Sequence, residues 1–305
     1  MPARDDTTAV MVVGVDGSDG AISAVRWAAR HARETGAGLR LVYAATASAT
    51  ASIALPVPVS VTGAVRRRPT RSGDRVLAVA AAEAGMFAPQ AEVSGRLVTG
   101  DAVEALVDAS GEAALLVVGS RRLGRVSGSL VGSVGAQVAA RAGCPTVVVR
   151  GDGDPDGPVV VAVDGSQTSE PALRFAFTEA ARRSVAVVAV HAWSPPLVPV
   201  GVGHAVAASV PSGPARSALH RSAVGLLTDT LSPWRDRYPH VEVLELLLEG
   251  NPETALPESA AGAALTVVGT RGRNRLSGLL LGSTSQAVLY GADCPVAVVR
   301  EADDT

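Results

Sequence analysis

The sequence predicts an α/β protein made of two tandem parallel β-sheets, each flanked by helices. The first observation is a repeat: Val117–Gly119 returns as Val267–Gly269, an offset of 150 residues (269 − 119 = 150) in a chain of 305. A period this long indicates a duplicated domain. The second is that valine-rich runs alternate with alanine-rich amphipathic segments, which is typical of parallel strands joined by helices. We predict domains 1–151 and 152–305, joined by a glycine-rich stretch, 151–157, too polar and flexible to pack.

The first half predicts five strands and four helices in alternation. Its strands are apolar almost throughout, as expected where helices cover both faces of a sheet. In the first helix, Ile22, Val25 and Ala29 recur at spacings of three and four and so share one face. Ser18 fits the N-cap of this helix and Gly36 its carboxyl end. The strands fit Val10–Val15, Leu39–Ala44, Ala91–Thr99, Leu115–Gly119 and Thr146–Arg150, and the helices Ser18–Glu34, Ser72–Met86, Asp101–Ser110 and Leu130–Ala142.

The second half repeats the same series of elements. Each half also has an irregular segment after its second strand, Thr46–Thr70 and Ser194–Pro214, and loops of this length are either functional lids or mobile. The predicted strands are Pro158–Val163, Val185–His191, Val241–Leu248, Ala264–Gly269 and Val296–Arg300, and the helices are Ser166–Arg183, Ala215–Tyr238, Pro252–Ala261 and Leu281–Gly291.

The composition excludes several classes of protein. The formal net charge of −2 gives no attraction to nucleic acid or to an anionic membrane. All 27 basic residues are arginine, which excludes lysine-dependent Schiff-base and P-loop chemistry. Cys144 and Cys294 are interpreted as fillers of small apolar spaces in a reducing compartment. The acidic amino terminus is unlike a signal peptide, and no apolar run approaches the roughly 20 residues of a membrane span, so we predict a cytoplasmic protein.

An aspartate follows the first strand of each half and precedes Gly-Ser. Asp16 and Asp164 occupy equivalent places (164 − 16 = 148). A carboxylate at that end of a parallel strand can accept hydrogen bonds from ribose hydroxyls or from the amino group of adenine. The alternative is that each aspartate only starts a turn and helps to cap the following helix.

A glycine-bearing loop follows the fourth strand of each half. Its complete form is Gly269-Thr-Arg-Gly272, nine residues, then Gly282-Ser283. Glycines let backbone N–H groups approach phosphate oxygens, and a helix amino terminus adds unpaired N–H groups and about half a positive charge. Four or five hydrogen bonds to phosphate, at roughly 1.5–3 kcal/mol each, could support micromolar binding. The alternative is a loop needed only for tight turning.

Together these features resemble the universal stress protein family, whose nucleotide-binding members carry Gly-x-x-Gly, nine residues, then Gly-Ser/Thr. The resemblance covers essentially the whole chain, including Gly250–Pro252 and the closing Cys-Pro strand of each half. It implies two five-stranded parallel sheets in the order 3-2-1-4-5, adenine nucleotide alpha hydrolase-like. Strands one and four are then neighbours where the strand order reverses, which is where open α/β sheets bind ligands.

The resemblance implies ATP as the ligand, with or without Mg²⁺. In the second half Asp164 would lie near the adenosine and Val190 against the adenine, while Gly269, Gly272, Gly282, Ser283 and Thr284 would surround the phosphates. The first-half equivalents are Asp16, Val42, Gly119, Gly132, Ser133 and Val134. Arg122 replaces the second motif glycine there, and Ala102 stands where Pro252 does, so the second site is the more complete. If Arg122 has a positive φ, it lowers the stability of the fold by about 1 kcal/mol or more. If it does not, its guanidinium could pair with phosphate.

The leading functional hypothesis is a tandem stress-response protein that binds ATP and acts as a nucleotide-dependent sensor or regulator. We predict no catalytic or metal-binding residues, because no Ser-His-Asp set, paired carboxylates or metal cluster recurs in both halves of the sequence. Two alternatives stay open. One is a slow ATPase or nucleotidyl transferase on a related fold, and the other is a ligand-free interaction scaffold.

The resemblance also implies that strand five of each half, Val147–Arg150 and Val296–Arg300, pairs antiparallel as an internal pseudo-dimer. Such pairing would hide two apolar edges that otherwise invite aggregation. We therefore predict that either half, produced separately, self-associates through the edge it can no longer pair. Sedimentation analysis would measure this, and a soluble, monomeric half would contradict it. Whether the full chain assembles further into a homo-oligomer stays open.

Overall fold

The structure of the protein is a computed structural model in which two compact units, Met1–Val149 and Arg150–Thr305, divide the chain. Each unit contains one five-stranded parallel sheet with helices packed on it. The structure describes residues 9–45, 71–120, 133–151, 153–166, 169–194, 198–202, 205–209, 212–270 and 281–300.

In the first unit, strand order confirms the predicted topology. The strands are β1 Val10–Gly14, β2 Gly38–Ala45, β3 Val93–Thr99, β4 Leu115–Gly119 and β5 Thr146–Val149, and the helices are α1 Asp19–Thr35, α2 Arg71–Phe87, α3 Ala102–Ser110 and α4 Ser133–Arg141. The order is β3-β2-β1-β4-β5, and every pair in it is parallel. It reverses between β1 and β4, so the carboxyl ends of these two strands border a crevice.

The second unit has the same sheet and one additional hairpin. Its strands are β6 Val159–Ala162, β7 Val187–Trp193, β8 Val198–Val202, β9 Ala205–Ser209, β10 Val243–Glu249, β11 Leu265–Gly269 and β12 Val296–Val299, and its helices are α5 Glu170–Arg183, α6 Gly213–Arg237, α7 Pro252–Ser259 and α8 Ser283–Gly291. The parallel sheet has the order β10-β7-β6-β11-β12. The reversal here lies between β6 and β11.

The strands are buried on both faces, as their apolar sequences predict. Met11, Val12 and Val13 of β1 are at most 2% exposed, because helices pack on both sides of the sheet. The predicted caps of α1 are confirmed: Ser18 Oγ accepts a hydrogen bond from the Ala21 N–H at 3.3 Å, and Gly36 ends the helix at φ 73°. None of the helices in the described ranges is long and apolar enough to cross a membrane.

The prediction of an irregular Ser194–Pro214 segment is wrong in part. Residues within it form β8 and β9, which pair antiparallel as a separate two-stranded sheet. Pro199 and Gly201 obscured the first of these strands in the sequence, because both residue types are depleted in strands. A two-stranded sheet tolerates them, since each strand has an unpaired edge. The corresponding first-half segment, Thr46–Thr70, lies outside the described residues.

The prediction that the glycine-rich stretch 151–157 is too polar and flexible to pack is also wrong in part, although residues 154–156 are exposed. Gly157 is buried, and a Cβ there would lie 2.1 Å from the Gly262 carbonyl oxygen. The Asp154 N–H donates to the Ala263 carbonyl at 3.3 Å. The glycines that suggested flexibility instead allow two backbone segments to approach closely.

Both cysteines are buried, which confirms their predicted role as packing residues. Burial raises the pKa of the Cys144 thiol to about 12 and also raises the pKa of Cys294.

We therefore expect neither thiol to react with a disulfide reagent at pH 8 in the folded chain, and both to react after unfolding. Thiol titration with and without guanidinium measures this, and a native thiol as reactive as free cysteine would contradict it. The unfolded thiols ionise first, so unfolding should become easier as pH rises from about 9 toward 12.

Candidate functional site

The aspartate and the first residues of the glycine loop lie at the same edge of the sheet in each unit. In the second unit Val161 of β6 pairs with Val267 of β11, and continuing this parallel register places Asp164 opposite Thr270. In the first unit Gly14 pairs with Val118, so Asp16 follows at the level of residue 120. The strand order reverses between the two strands in both cases. The two predicted halves of the site therefore border one crevice in each unit.

In the second unit, hydrogen bonds hold the Asp164 carboxylate in place. Its Oδ1 accepts from the Ser166 N–H at 2.9 Å, from Ser166 Oγ at 2.6 Å and from Ser169 Oγ at 2.6 Å. Hydrogen bonds to a carboxylate are roughly twice as strong as neutral ones, so this turn is well fixed. Gly165 has φ 73°, and its conformation lets the chain turn sharply after the aspartate.

The first unit has a similar turn. Asp16 Oδ1 accepts from the Ser18 N–H at 2.9 Å and from Ser18 Oγ at 2.5 Å. Gly17 has φ 84° and faces Val76 of α2. A cavity of about 200 Å³ lies beside it, lined mainly by α1 and α2. The turn is thus the local structure expected of Asp-Gly-Ser, in which the aspartate also accepts a hydrogen bond from a backbone N–H group.

The end of the glycine loop in the second unit lies against the end of β11. The Gly282 N–H donates to the Thr270 carbonyl at 2.8 Å, and Ser285 Oγ donates to the Gly269 carbonyl at 2.6 Å. Gly282 is the N-cap of α8, and among the described residues no side chain caps the helix. The first N–H groups of a helix have no acceptor within it, so those of Ser283 and Thr284 lie at this edge without a partner inside α8.

The first glycine of the motif has a packing role in the first unit. A Cβ on Gly119 would lie 2.1 Å from the Gly20 carbonyl oxygen, and a Cβ on Gly20 would lie 2.4 Å from the Ser120 carbonyl oxygen. Both distances are below what a real Cβ shows, so α1 and β4 approach closely only because both residues are glycine. The repeat gave no sign of this role for Gly20, because the second-half equivalent of Gly20 is Thr168.

The valines predicted to lie against adenine are buried in the sheet. Val42 and Val190 are 2% and 0% exposed, and their carbonyls accept from the N–H groups of Val15 and Val163. The predicted contact with a base stays a prediction. Next to Val190, the buried His191 places Nδ1 2.7 Å from the Val163 carbonyl oxygen. The side chain of this histidine therefore links β7 to the residue after β6, a role that its position in the sequence did not indicate.

The remaining predicted residues divide into described and undescribed positions. Gly132, Gly272 and Arg122 lie outside the described residues. Ser133 begins α4, and the half-buried Val134 follows in its first turn. Ala102 is the first residue of α3 and Pro252 the first of α7, where Asp101 and Asn251 cap the two helices. Proline is well suited to the first position of a helix, so the Ala102 difference reflects helix initiation.

The crevice of the second unit thus contains backbone donors and one held carboxylate, and three comparisons identify the relatives of the chain. The model of the universal stress protein family matches residues 9–150 and 157–300. The chain belongs to the universal stress protein family. It is 37% identical over 299 residues to universal stress protein Rv2005c of Mycobacterium tuberculosis (strain ATCC 25618 / H37Rv), covering 95% of this chain and 97% of that protein. This confirms the family resemblance of the sequence.

Solved universal stress proteins share the fold. A putative universal stress protein from Pseudomonas aeruginosa UCBPP-PA14 has a TM-score of 0.67 at 16% identity, covering 97% of this chain and 95% of its own. A universal stress protein in complex with cAMP is 29% identical, covers 46% of this chain and 94% of its own, and has a TM-score of 0.35.

In the described part of the present chain, no group of three His, Cys, Asp or Glu residues could hold a metal ion.

The packing role of Gly119 gives a direct test. We expect Gly119→Ala to lower the free energy of unfolding by about 1–3 kcal/mol, because the added methyl group forces β4 and α1 apart. Gly85→Ala is the matched control. Its Cβ would meet nothing within 4 Å and it lies in α2, so we expect it to stabilise by about 0.5–1 kcal/mol. Thermal and denaturant unfolding would measure both variants, and a neutral Gly119→Ala would show that this contact does not constrain the unit.

Proposed function

We propose that the chain binds ATP in the crevice of its second unit and acts as a nucleotide-dependent regulator of the stress response. One observation carries the proposal. The held carboxylate of Asp164 and the uncapped start of α8 lie at the carboxyl edge of two neighbouring strands, where the strand order reverses. Ligands of open α/β sheets bind at such a place.

The chemistry of the crevice fits a nucleotide at both ends. The N–H groups of Ser283 and Thr284 would donate to phosphate oxygens, helped by the positive end of the α8 dipole. Gly282 has no Cβ to obstruct the phosphate at this helix start. Asp164 would accept hydrogen bonds from the adenosine. Mg²⁺ would enter bound to the phosphates, since the described residues offer no cluster of acidic ligands for it.

The contrast with other helix starts supports an anion at α8. Asp101 caps α3 by accepting from the N–H groups of Val103 and Glu104, and Asn251 caps α7 by accepting from that of Glu253. These two helices begin at the same edges of their sheets but satisfy their own donors. At the start of α8 the N-cap glycine has no side chain to accept these hydrogen bonds. A bound phosphate would accept them in its place.

We propose a regulator rather than an enzyme because the crevice supplies little for catalysis. Hydrolysis needs a group that activates water, and Asp164 Oδ1 already accepts three hydrogen bonds. The Nδ1 atom of the nearby His191 is engaged with a backbone carbonyl. A turnover assay would detect slow hydrolysis of bound ATP.

Three parts of the proposal rest on sequence. The first unit binds nucleotide less well, since Arg122 replaces a motif glycine. The protein works in the cytoplasm. Strand five of each half provides the internal pairing that single-domain relatives achieve by dimerisation.

Calorimetry of the full chain with ATP tests the proposal. We expect micromolar to submicromolar binding at the second site, and a substantial loss, about tenfold or more, in Gly282→Leu, whose side chain would occupy the phosphate position. Gly85→Leu is the matched control, because that position is open and lies in the first unit, and it should bind ATP normally.

Several results would count against the proposal. An absence of heat and of thermal protection at millimolar ATP would rule it out. A folded Gly282→Leu variant with unchanged affinity would refute the placement of the phosphates. Preference for cAMP over ATP would change the ligand, and several turnovers per minute would favour the slow ATPase.

A further inference from the structure

Ser169 is a buried serine at the start of α5 whose hydroxyl bonds the carboxylate of the crevice. It immediately precedes α5 and is 7% exposed, and its side chain makes no hydrogen bond to an N–H group of the first turn. Its Oγ donates to Asp164 Oδ1 at 2.6 Å. Its backbone is already helical, with φ −80° and ψ −17°, so it does not have the extended conformation of a capping serine. The position of this hydroxyl is therefore set by the start of the helix.

The first unit lacks this contact. The residue equivalent to Ser169 is Ala21 (169 − 148 = 21), whose side chain cannot donate a hydrogen bond. In that unit Ser18 both donates to Asp16 and accepts from the Ala21 N–H, so one hydroxyl fixes the aspartate and caps α1. In the second unit two hydroxyls, from Ser166 and Ser169, donate to the aspartate.

We propose that Ser169 is a positioning residue that holds the Asp164 carboxylate for the hydroxyls of a ribose, and that it makes the second site selective for ribonucleotides. The inference rests on the proposed function and deepens it. A carboxylate fixed by its neighbours loses little conformational freedom when a ligand binds, and its hydrogen bonds to the ligand are correspondingly more favourable. Removing Ser169 leaves the Ser166 donors, so the carboxylate keeps its place in the turn but is held less firmly.

The test compares ATP with 2′,3′-dideoxy-ATP, which has no ribose hydroxyls. We expect Ser169→Ala to weaken ATP binding by about three- to tenfold while leaving affinity for the dideoxy nucleotide within about twofold of the unchanged chain. A loss confined to the nucleotide with hydroxyls is a result that a merely structural role would not give. Ser217→Ala is the matched control, because its hydroxyl bonds an exposed carbonyl on α6, and it should bind both nucleotides normally.

A second variant shows whether Ser169 acts through Asp164. We expect Asp164→Asn to reduce the preference for ATP over the dideoxy nucleotide, and Ser169→Ala to add no further loss in that background. Ser169→Thr retains a hydroxyl and should restore part of the ATP affinity. Thermal unfolding of each variant establishes that it is folded, and the Asp164→Asn comparison decides the matter if Ser169→Ala fails to fold.

The outcomes separate this inference from the proposed function. If the unchanged chain binds no ATP, the proposed function fails and the inference fails with it. If the chain binds ATP and folded Ser169→Ala binds it equally well, only the inference fails. It is also overturned if both nucleotides lose affinity equally, or if the two substitutions add independently, because Ser169 would then support the turn without orienting Asp164 toward a ribose.

Discussion

Burial of parallel strands on both faces is the constraint on which each unit depends. It requires helices on both faces of the sheet, and it leaves the carboxyl edge as the place where loops meet. In the first unit the approach of helix to strand is extreme, since the backbones at Gly20 and Gly119 are so close that neither could carry a Cβ. The crevice is therefore bordered by fixed backbone, and its shape depends on glycines as much as on polar side chains.

Much of the fold could be predicted because the apolar pattern indicates alternating strands and helices, and the duplication shows the same pattern in both halves. Strand order, alternation and the caps of α1 all follow from residues whose local preference agrees with their tertiary place. The β8–β9 hairpin escaped prediction because Pro199 and Gly201 contradict local strand preference. The 153–157 stretch was misjudged because glycine permits close packing as readily as flexibility, and only the opposing backbone at Gly262 decides between them.

The candidate site was predictable to a different degree. Its location follows from the Asp-Gly-Ser turn and the glycine loop, since parallel strands bring their carboxyl ends together. The partners of the aspartate did not follow. Comparing the halves favours residues that they share, and Ser169 was passed over because the first unit has Ala21 there. Repetition therefore identifies common architecture, whereas the differences between copies indicate where the two sites diverge.

The helix starts of the second unit connect these points. Two of its helices lie at the crevice, α5 after β6 and α8 after β11. At α5 the Ser169 hydroxyl donates to Asp164, and at α8 the N-cap is a glycine, which has no side chain. In the first unit Ser18 caps α1 in the usual way. A protein selected only for stability would gain from a capping residue in place of Gly282, so the glycine at this helix start favours a ligand that supplies an acceptor.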